Sequence, residues 1–309
     1  MKYIPPHRRR QQERGVEEQR SDGYFQGSHH DDGDFEGVVS DEILCKAFTL
    51  VYCINLLRRV DRWELFCSRM QSTLGKDCPR FVNKVQKFDA VDGSDDLLFG
   101  NGNDIDFPKI DWDATNNALY DRHIQPPMNK RMAPGEVGCA MSHAKLWRIL
   151  EERQNVQDTM LILEDDAVFY NNERNGNRRR NFLNAFANVW NGLPSDWHIL
   201  YLGLSPRGAR IPVNIKTEET QNMPLDVHLF RPTYGFHTHA YALSKTAAST
   251  LLSNGPITGP VDVWLADNKW FGLNVYCAVV ANEGYNNEGA SLISQQRRKS
   301  DSDIRQSGR

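Results

Sequence analysis

Thr159-Met160-Leu161-Ile162-Leu163-Glu164-Asp165-Asp166 decides how the rest of the chain is read. Thr159 to Leu163 has the pattern of a buried strand, and it runs straight into three carboxylates. In open α/β sheets ligands sit outside the carboxyl ends of the strands, so this junction marks where a site belongs. Three adjacent acids repel one another, and a divalent cation relieves that repulsion. Magnesium and manganese take oxygen ligands and often bridge to phosphates. Alternate residues of an extended chain share a face, so Glu164 and Asp166 form a pair while Asp165 turns away. A solvated acidic turn after a strand would read the same way, and this stretch alone does not choose.

Upstream, Pro134 and Gly135 introduce a helix from Glu136 to Arg153, with Val137, Met141, Leu146, Ile149 and Leu150 on helical spacing. Gly135 and Gly138, early in that helix, suggest close backbone approach to something. Ser142 and His143 are polar residues on its packed length; His143 suits a ligand-facing group or a satisfied core histidine. Farther upstream, Ala47–Leu56 is an apolar run of strand length followed by Arg58, Arg59, Val60, Asp61 and Arg62. Guanidinium forks at a strand-to-helix junction can grip a diphosphate, or simply face water while Asp61 serves the following helix. A helix from Trp63 to Leu74 and a second strand from Phe81 to Ala90 follow, the latter ending in Val91-Asp92-Gly93. Residues 94–133, rich in Asn, Asp, Gly and Pro, read as a long irregular insertion.

Downstream, the pattern predicts a helix over Phe182–Trp190, a strand over Trp197–Leu202 and a polar loop over 205–228. Next come a strand over His239–Leu243, a helix over Lys245–Leu252, a short helix over Val261–Trp270 and a last strand over Val275–Val280. Strands alternating with helices predict an α/β fold with a mostly parallel sheet covered on both faces. His237 and His239 share a face of their strand and could ligate a metal, but no acidic partner stands near them in sequence and strand packing is the simpler reading.

Of the 309 residues, 39% are hydrophobic and 25% charged, which suits a chain able to bury a sizeable core. The formal net charge of -3 gives no sign of a nucleic-acid partner. Six cysteines (45, 53, 67, 78, 139 and 277) lack C-x-x-C spacing, which argues against zinc knuckles and thioredoxin-like centres. No stretch resembles a signal peptide, none is apolar enough to span a bilayer, and no N-x-[ST] acceptor occurs. The expectation is a reduced, cytoplasmic protein without a transmembrane segment. Residues 1–45 are polar and read as a disordered tail, 46–296 as the folded domain, and 297–309 as a C-terminal tail.

These motifs, taken in order, resemble glycosyltransferase family 25, which includes lipopolysaccharide glycosyltransferases and procollagen galactosyltransferases. The resemblance is carried by Asn55-Leu56-Leu57-Arg58-Arg59-Val60-Asp61-Arg62, by Phe88–Gly93, by Gly135 to His143, and by Leu163–Asp166. It continues through Tyr201-Leu202-Gly203, Tyr241–Ser244, Pro260-Val261-Asp262, Ser291–Gln295 and Ser302-Asp303-Ile304, covering nearly everything after Lys46. Leu57 and Ala290 depart from it. The resemblance implies a GT-A-like nucleotide-binding sheet, a divalent Mn2+ or Mg2+, and a UDP-sugar donor carrying galactose or glucose. It also implies that Asn55, Arg58, Arg59 and Arg62 line the nucleotide end and that Asp92 and Gly93 border the same cleft, with Ser142 and His143 nearby. Glu164 and Asp166 would hold the metal against the diphosphate.

If the reaction inverts the anomeric centre, a base is needed. Asp262, after Gly259-Pro260 and before an apolar helix, is the first choice and Asp267 the second. An N-cap role for Asp262 fits the same position. The acceptor would be a hydroxyl on a glycan, a lipopolysaccharide-like molecule or a protein. A catalytically silent relative that binds nucleotide or glycan is the alternative. A metal-dependent phosphohydrolase would need further His or Asp ligands that the sequence does not offer.

Overall fold

The structure, a computed structural model, describes residues 41–93, 134–170, 178–213, 227–280 and 290–296. All of them lie in one compact unit, Gly33–Arg309. The expectations for residues 1–40, for the insertion at 94–133 and for the tail at 297–309 fall outside the described residues.

Structure is already present before Lys46. Residues 41–47 form a helix, α1, that buries Leu44 and Ala47. Asp41 at its start accepts the backbone N–H groups of Arg80 and Phe81, at 3.2 and 2.8 Å. Those are orphan donors at the start of another helix, α3 (Pro79–Lys84), which a carboxylate satisfies in both charge and geometry. Phe81–Lys84 is therefore helical, and the strand expected from Phe81 begins only at Val85.

β1 (Leu50–Asn55) leads into α2 (Val60–Leu74), whose Phe66, Met70 and Leu74 recur every four residues and are buried. β2 (Val85–Asp89) and β3 (Thr159–Glu164) pair with β1 on either side, both parallel to it. Between them in sequence lies α4 (Pro134–Glu151). β4 (Ala167–Phe169) and α5 (Arg178–Gly192) follow β3. Then come β5 (Ile199–Pro206), β6 (Arg210–Val213), β7 (Val227–Pro232) and β8 (Gly235–Ser244). The chain continues through α6 (Lys245–Ser253), α7 (Val261–Asp267), a 3-10 turn, β9 (Val275–Val280), β10 (Ala290–Ser291) and β11 (Ile293–Gln295).

Among the described residues, nine strands form the main sheet in the order β2-β1-β3-β8-β5-β9-β7-β6, with β10 beside β9. The expected parallel direction holds for β1, β2, β3, β5, β6 and β9, while β7, β8 and β10 run against them. The reversed β8 lies between β3 and β5, and it has a consequence for the site. Its second half pairs with β3, from Leu163 opposite Ala240 to Thr159 opposite Ser244, so its first residues run on past the end of β3 beside the acidic turn. The stretch expected to be a loop over 205–228 instead contains the end of β5, all of β6 and the start of β7. Val275–Val280 is not the last strand, because β10 and β11 follow.

Strand residues alternate between two cores. Leu161 and Leu163 face the side packed by Phe48, Phe66, Phe182 and Phe186, and Met160 and Ile162 face Trp147, Leu251 and Trp264. Helices α1, α2, α3 and α5 contribute to the first layer, and α4, α6 and α7 to the second. No helix among the described residues is long and apolar enough to cross a membrane.

Candidate active site

β3 delivers Glu164 to the carboxyl edge of the sheet, level with Ile54 of β1. The chain turns at Asp165 and Asp166, so the three carboxylates are set by the turn rather than by strand alternation. Asp165 is buried; its Oδ2 accepts from Asn55 Nδ2 at 2.7 Å and its Oδ1 pairs with Arg62. Arg62 also lies 3.6 Å from Asp166 Oδ2. Among the described residues, Asp166 Oδ1 is buried without a hydrogen-bond partner. Glu164 Oε1 accepts from Thr238 Oγ1 at 3.3 Å and lies 3.7 Å from His143 Nε2.

Their proton affinities differ accordingly. Burial, then the charge of Glu164, raises Asp166 to about 7 against the pull of Arg62. Burial raises Asp165 to about 6, moderated by Arg62 and Asn55. For Glu164, burial is outweighed by the hydrogen bond and charge of His143, with His239 and His237 adding, and it falls to about 2. A buried carboxylate oxygen left without a donor is costly unless a cation meets it. The donor set suits a hard divalent ion, with Glu164 and Asp166 as the residues that could hold it.

The arginine loop sits beside these acids. Asn55, buried at the end of β1, also donates to Arg59 O at 3.0 Å and so ties the loop to Asp165. Arg59 makes a two-pronged pair with Asp61, at 2.9 and 2.8 Å. Arg58 pairs with Asp92 in the segment after β2, at a half-exposed position. Exposed pairs of this kind are weak, so an incoming phosphate can compete for such an arginine.

Gly93, Ser142 and His143 take a supporting place. A Cβ on Gly93 would fall 1.7 Å from Pro134 O, and one on Gly138 would fall 2.4 Å from Val91 O. These glycines let the segment after β2 lie directly on the first turns of α4. Ser142 Oγ accepts from Val91 N at 2.9 Å and donates to Gly138 O at 2.6 Å. Ser142 and His143 are both fully buried, so they hold the cleft wall rather than present themselves to a donor. His143 reaches Glu164 from beneath.

Asp262 stands in the first turn of α7. Its Oδ2 accepts His237 N at 2.8 Å, and its Oδ1 accepts Val263 N at 2.9 Å. Burial raises its pKa, opposed by those two backbone donors. Asp267 is five residues on, about 140° around the helix, so the two acids do not share a face. His237 Nδ1 meets Ser205 Oγ at 2.8 Å, and His239 Nε2 donates to Ile293 O at 2.9 Å.

Sequence reasoning missed Thr238, which contacts both Glu164 and His143, and Gln295, whose side chain bonds to Asp166. Thr238 was marked only by its place between two histidines. Gln295 reaches Asp166 because β11 pairs with β4, immediately after the acidic turn.

Residues 48–265 match the family described as Glycosyltransferase family 25 (LPS biosynthesis protein). Among curated relatives, procollagen galactosyltransferase 2 of Mus musculus is 26% identical over 220 residues, covering 71% of this chain and 30% of the relative. A glycosyltransferase 25 family member of Anopheles gambiae is 27% identical, covering 70% of this chain and 31% of the relative. The inactive glycosyltransferase 25 family member 3 of Homo sapiens is 30% identical over 228 residues, with 71% and 31% covered. The chain spans less than a third of the length of these relatives.

Proposed function

The chain belongs to glycosyltransferase family 25, and from that premise we propose that it is a metal-dependent enzyme moving a hexose from a UDP-sugar to an acceptor hydroxyl. The observation that carries this reading is Asp166 Oδ1, buried and without a hydrogen-bond donor among the described residues, beside an arginine-rich loop. Galactose is the favoured hexose, because the relatives include a protein named for galactosyl transfer; glucose is the second choice. All six cysteines are free thiols, which supports a cytoplasmic setting.

Glu164 and Asp166 would hold Mn2+ or Mg2+, which when bound neutralises charge developing on the leaving diphosphate. Arg58, Arg59 and Arg62 draw the phosphates to the end of β1 and keep them oriented. Asp165 does not bind donor; it fixes Asn55 and Arg62. Asp262 takes the proton of the acceptor hydroxyl as its oxygen bonds to the anomeric carbon and the bond to the diphosphate breaks. Two backbone donors occupy one lone pair on each Asp262 oxygen and leave others for that proton. A single displacement of this kind inverts the anomeric centre.

The test is donor cleavage and transfer over a panel of UDP- and GDP-sugars, with manganese and then with EDTA. Turnover of one UDP-hexose, abolished by chelation, is the expected result. A silent binding module is the second reading, favoured by the inactive relatives. It would bind UDP with manganese yet turn over no donor with any acceptor.

A further inference from the structure

The turn after β5 carries a cation that the proposed chemistry leaves unused. The Arg207 guanidinium lies 5.8 Å from the centre of the Phe236 ring, and Phe236 meets Tyr234 edge to face at 5.5 Å. Arg207 is exposed and the two rings are half-buried. Tyr234 packs against the core that also holds Val261 and Trp264 of α7, so the group stands on the face of the sheet covered by the helix bearing Asp262. Asp262 Oδ2 accepts His237 N at 2.8 Å, and bond lengths then put the Phe236 Cα within about 5 Å of that oxygen.

The patch is held in shape by its own backbone. Arg207 N donates to Tyr234 O at 3.1 Å, and Thr233 donates to Ala209 O from its N–H and its hydroxyl, at 3.1 and 2.9 Å. A Cβ on Gly208 would fall 2.3 Å from Thr233 Oγ1, so glycine lets the turn lie close on the strand. Among the described residues no carboxylate pairs with Arg207. Stacking occupies the face of a guanidinium and leaves its N–H donors in the plane, where the fork suits a carboxylate or a phosphate. The arginines proposed for the donor come from the loop after β1, and β3 separates β1 from β8 in the sheet. Arg207 therefore belongs to a different part of the cleft.

We infer that Arg207, Tyr234 and Phe236 form an acceptor subsite for an anionic sugar, the rings taking the sugar and Arg207 its carboxylate or phosphate group. Calling it the acceptor side rests on Asp262 being the base in the proposed function; recognition of an anionic sugar does not. A sugar ring presents apolar C–H faces as well as hydroxyls, so it gains from an aromatic surface with one polar edge. A bare cation would gain nothing from the ring. The three side chains make one compact group rather than a line of charges, which fits a short anionic glycan better than an acidic peptide. With Phe236 so close to Asp262, the anionic group belongs on the sugar that carries the reacting hydroxyl or on its neighbour.

The experiment is a saturation-transfer NMR titration of the full-length protein, with and without Mg2+ and UDP. Its probes are methyl glucuronide, glucose 6-phosphate and the neutral methyl glucoside. One or both anionic sugars should bind roughly 10-fold or more tightly than the glucoside, and the tighter of the two tells carboxylate from phosphate. Arg207→Gln should erase that preference, and Phe236→Leu should weaken all three sugars, each with an unchanged circular dichroism spectrum. Equal binding of the glucoside, or a preference that survives in Arg207→Gln, would overturn the inference. Sugar binding untouched by Phe236→Leu would overturn it too, as would a loss of UDP affinity in Arg207→Gln, which would make Arg207 a donor residue. Donor turnover is read separately. Transfer without an anionic preference ends this inference and leaves the proposed function standing; the preference without turnover keeps the subsite and supports the binding module.

Discussion

Asp262 Oδ2 accepts the backbone N–H of His237 at 2.8 Å, and His237 holds a φ of 74°. A side chain other than glycine enters that left-handed region at a cost, so a carboxylate from α7 braces this irregular point near the start of β8. The same acid is the proposed base, and the brace keeps it beside the segment carrying Thr238.

Asp262→Asn separates the two roles. As the base, its loss cuts kcat by roughly two to four orders of magnitude with UDP affinity unchanged. As a brace alone, its loss costs about 1–3 kcal/mol of stability, because one backbone donor loses a charged acceptor, and kcat survives. Steady-state kinetics, calorimetry with UDP and urea unfolding on the same preparation tell these apart. A stability change with full turnover would remove Asp262 from the chemistry.

Asp166→Ala bears on the metal assignment. It removes the orphaned Oδ1 and one of the two proposed ligands while leaving the Asp165 contacts to Asn55 and Arg62 in place. Manganese-dependent UDP binding should disappear and the circular dichroism spectrum should not change. Retained binding would place the cation elsewhere.

The acids also make a prediction about pH. Burial raises Asp165 to about 6 and Asp166 to about 7 from an ordinary 3.8, so the metal-free folded chain keeps protons that the unfolded chain releases. Stability from that source is complete below pH 3.8 and is lost as pH rises through about 6 to about 7. Glu164, lowered to about 2, responds only in stronger acid. EDTA-treated protein should therefore lose about 2 kcal/mol or more between pH 5 and 8, since each tenfold difference in proton affinity between the folded and unfolded chain is worth about 1.4 kcal/mol. Saturating manganese should flatten the profile, and Asp166→Asn should remove the larger part of the loss without metal, since Asp166 has the higher folded pKa. A flat profile in EDTA would mean that the carboxylates are not forced together.

The sequence made much of this legible where a single periodicity governs. The apolar run at Leu50–Asn55, the acids after Leu163 and the apolar spacing of α4 each follow from local pattern, and each element stands close to where the pattern puts it. What escaped depends on contacts distant in sequence. Phe81–Lys84 looked like strand, but Asp41, forty residues upstream of Phe81, satisfies the backbone donors that let it start a helix. β6 and β7 are short, each is interrupted by a proline and by charged or polar residues, and their pairing with each other and with β9 makes them strands. Alternation does not foretell the turn at Asp165 and Asp166, where Arg62 contacts both carboxylates. The burial of Ser142 and His143 was not legible either, because a polar pair on a helix gives no sign of what packs over it.

Gly138→Ala tests whether the early glycines of α4 serve packing or donor approach. An alanine methyl there would fall 2.4 Å from Val91 O and 2.6 Å from Gly93 N, both backbone atoms that cannot rotate away. Helix propensity favours alanine by about 1 kcal/mol, but overpacking against backbone typically costs about 1–3 kcal/mol or more, so the variant should be less stable. The displaced segment carries Asp92, the partner of Arg58, so the donor KM should rise several-fold while kcat changes little. Ser142→Ala reaches the same contact from the side chain. It deprives Val91 N of its acceptor at a cost of about 1–3 kcal/mol and should raise KM in the same direction. If Gly138→Ala raised stability and left KM alone, the backbone contact between α4 and Val91–Gly93 would not be what holds the arginine loop's partner in place.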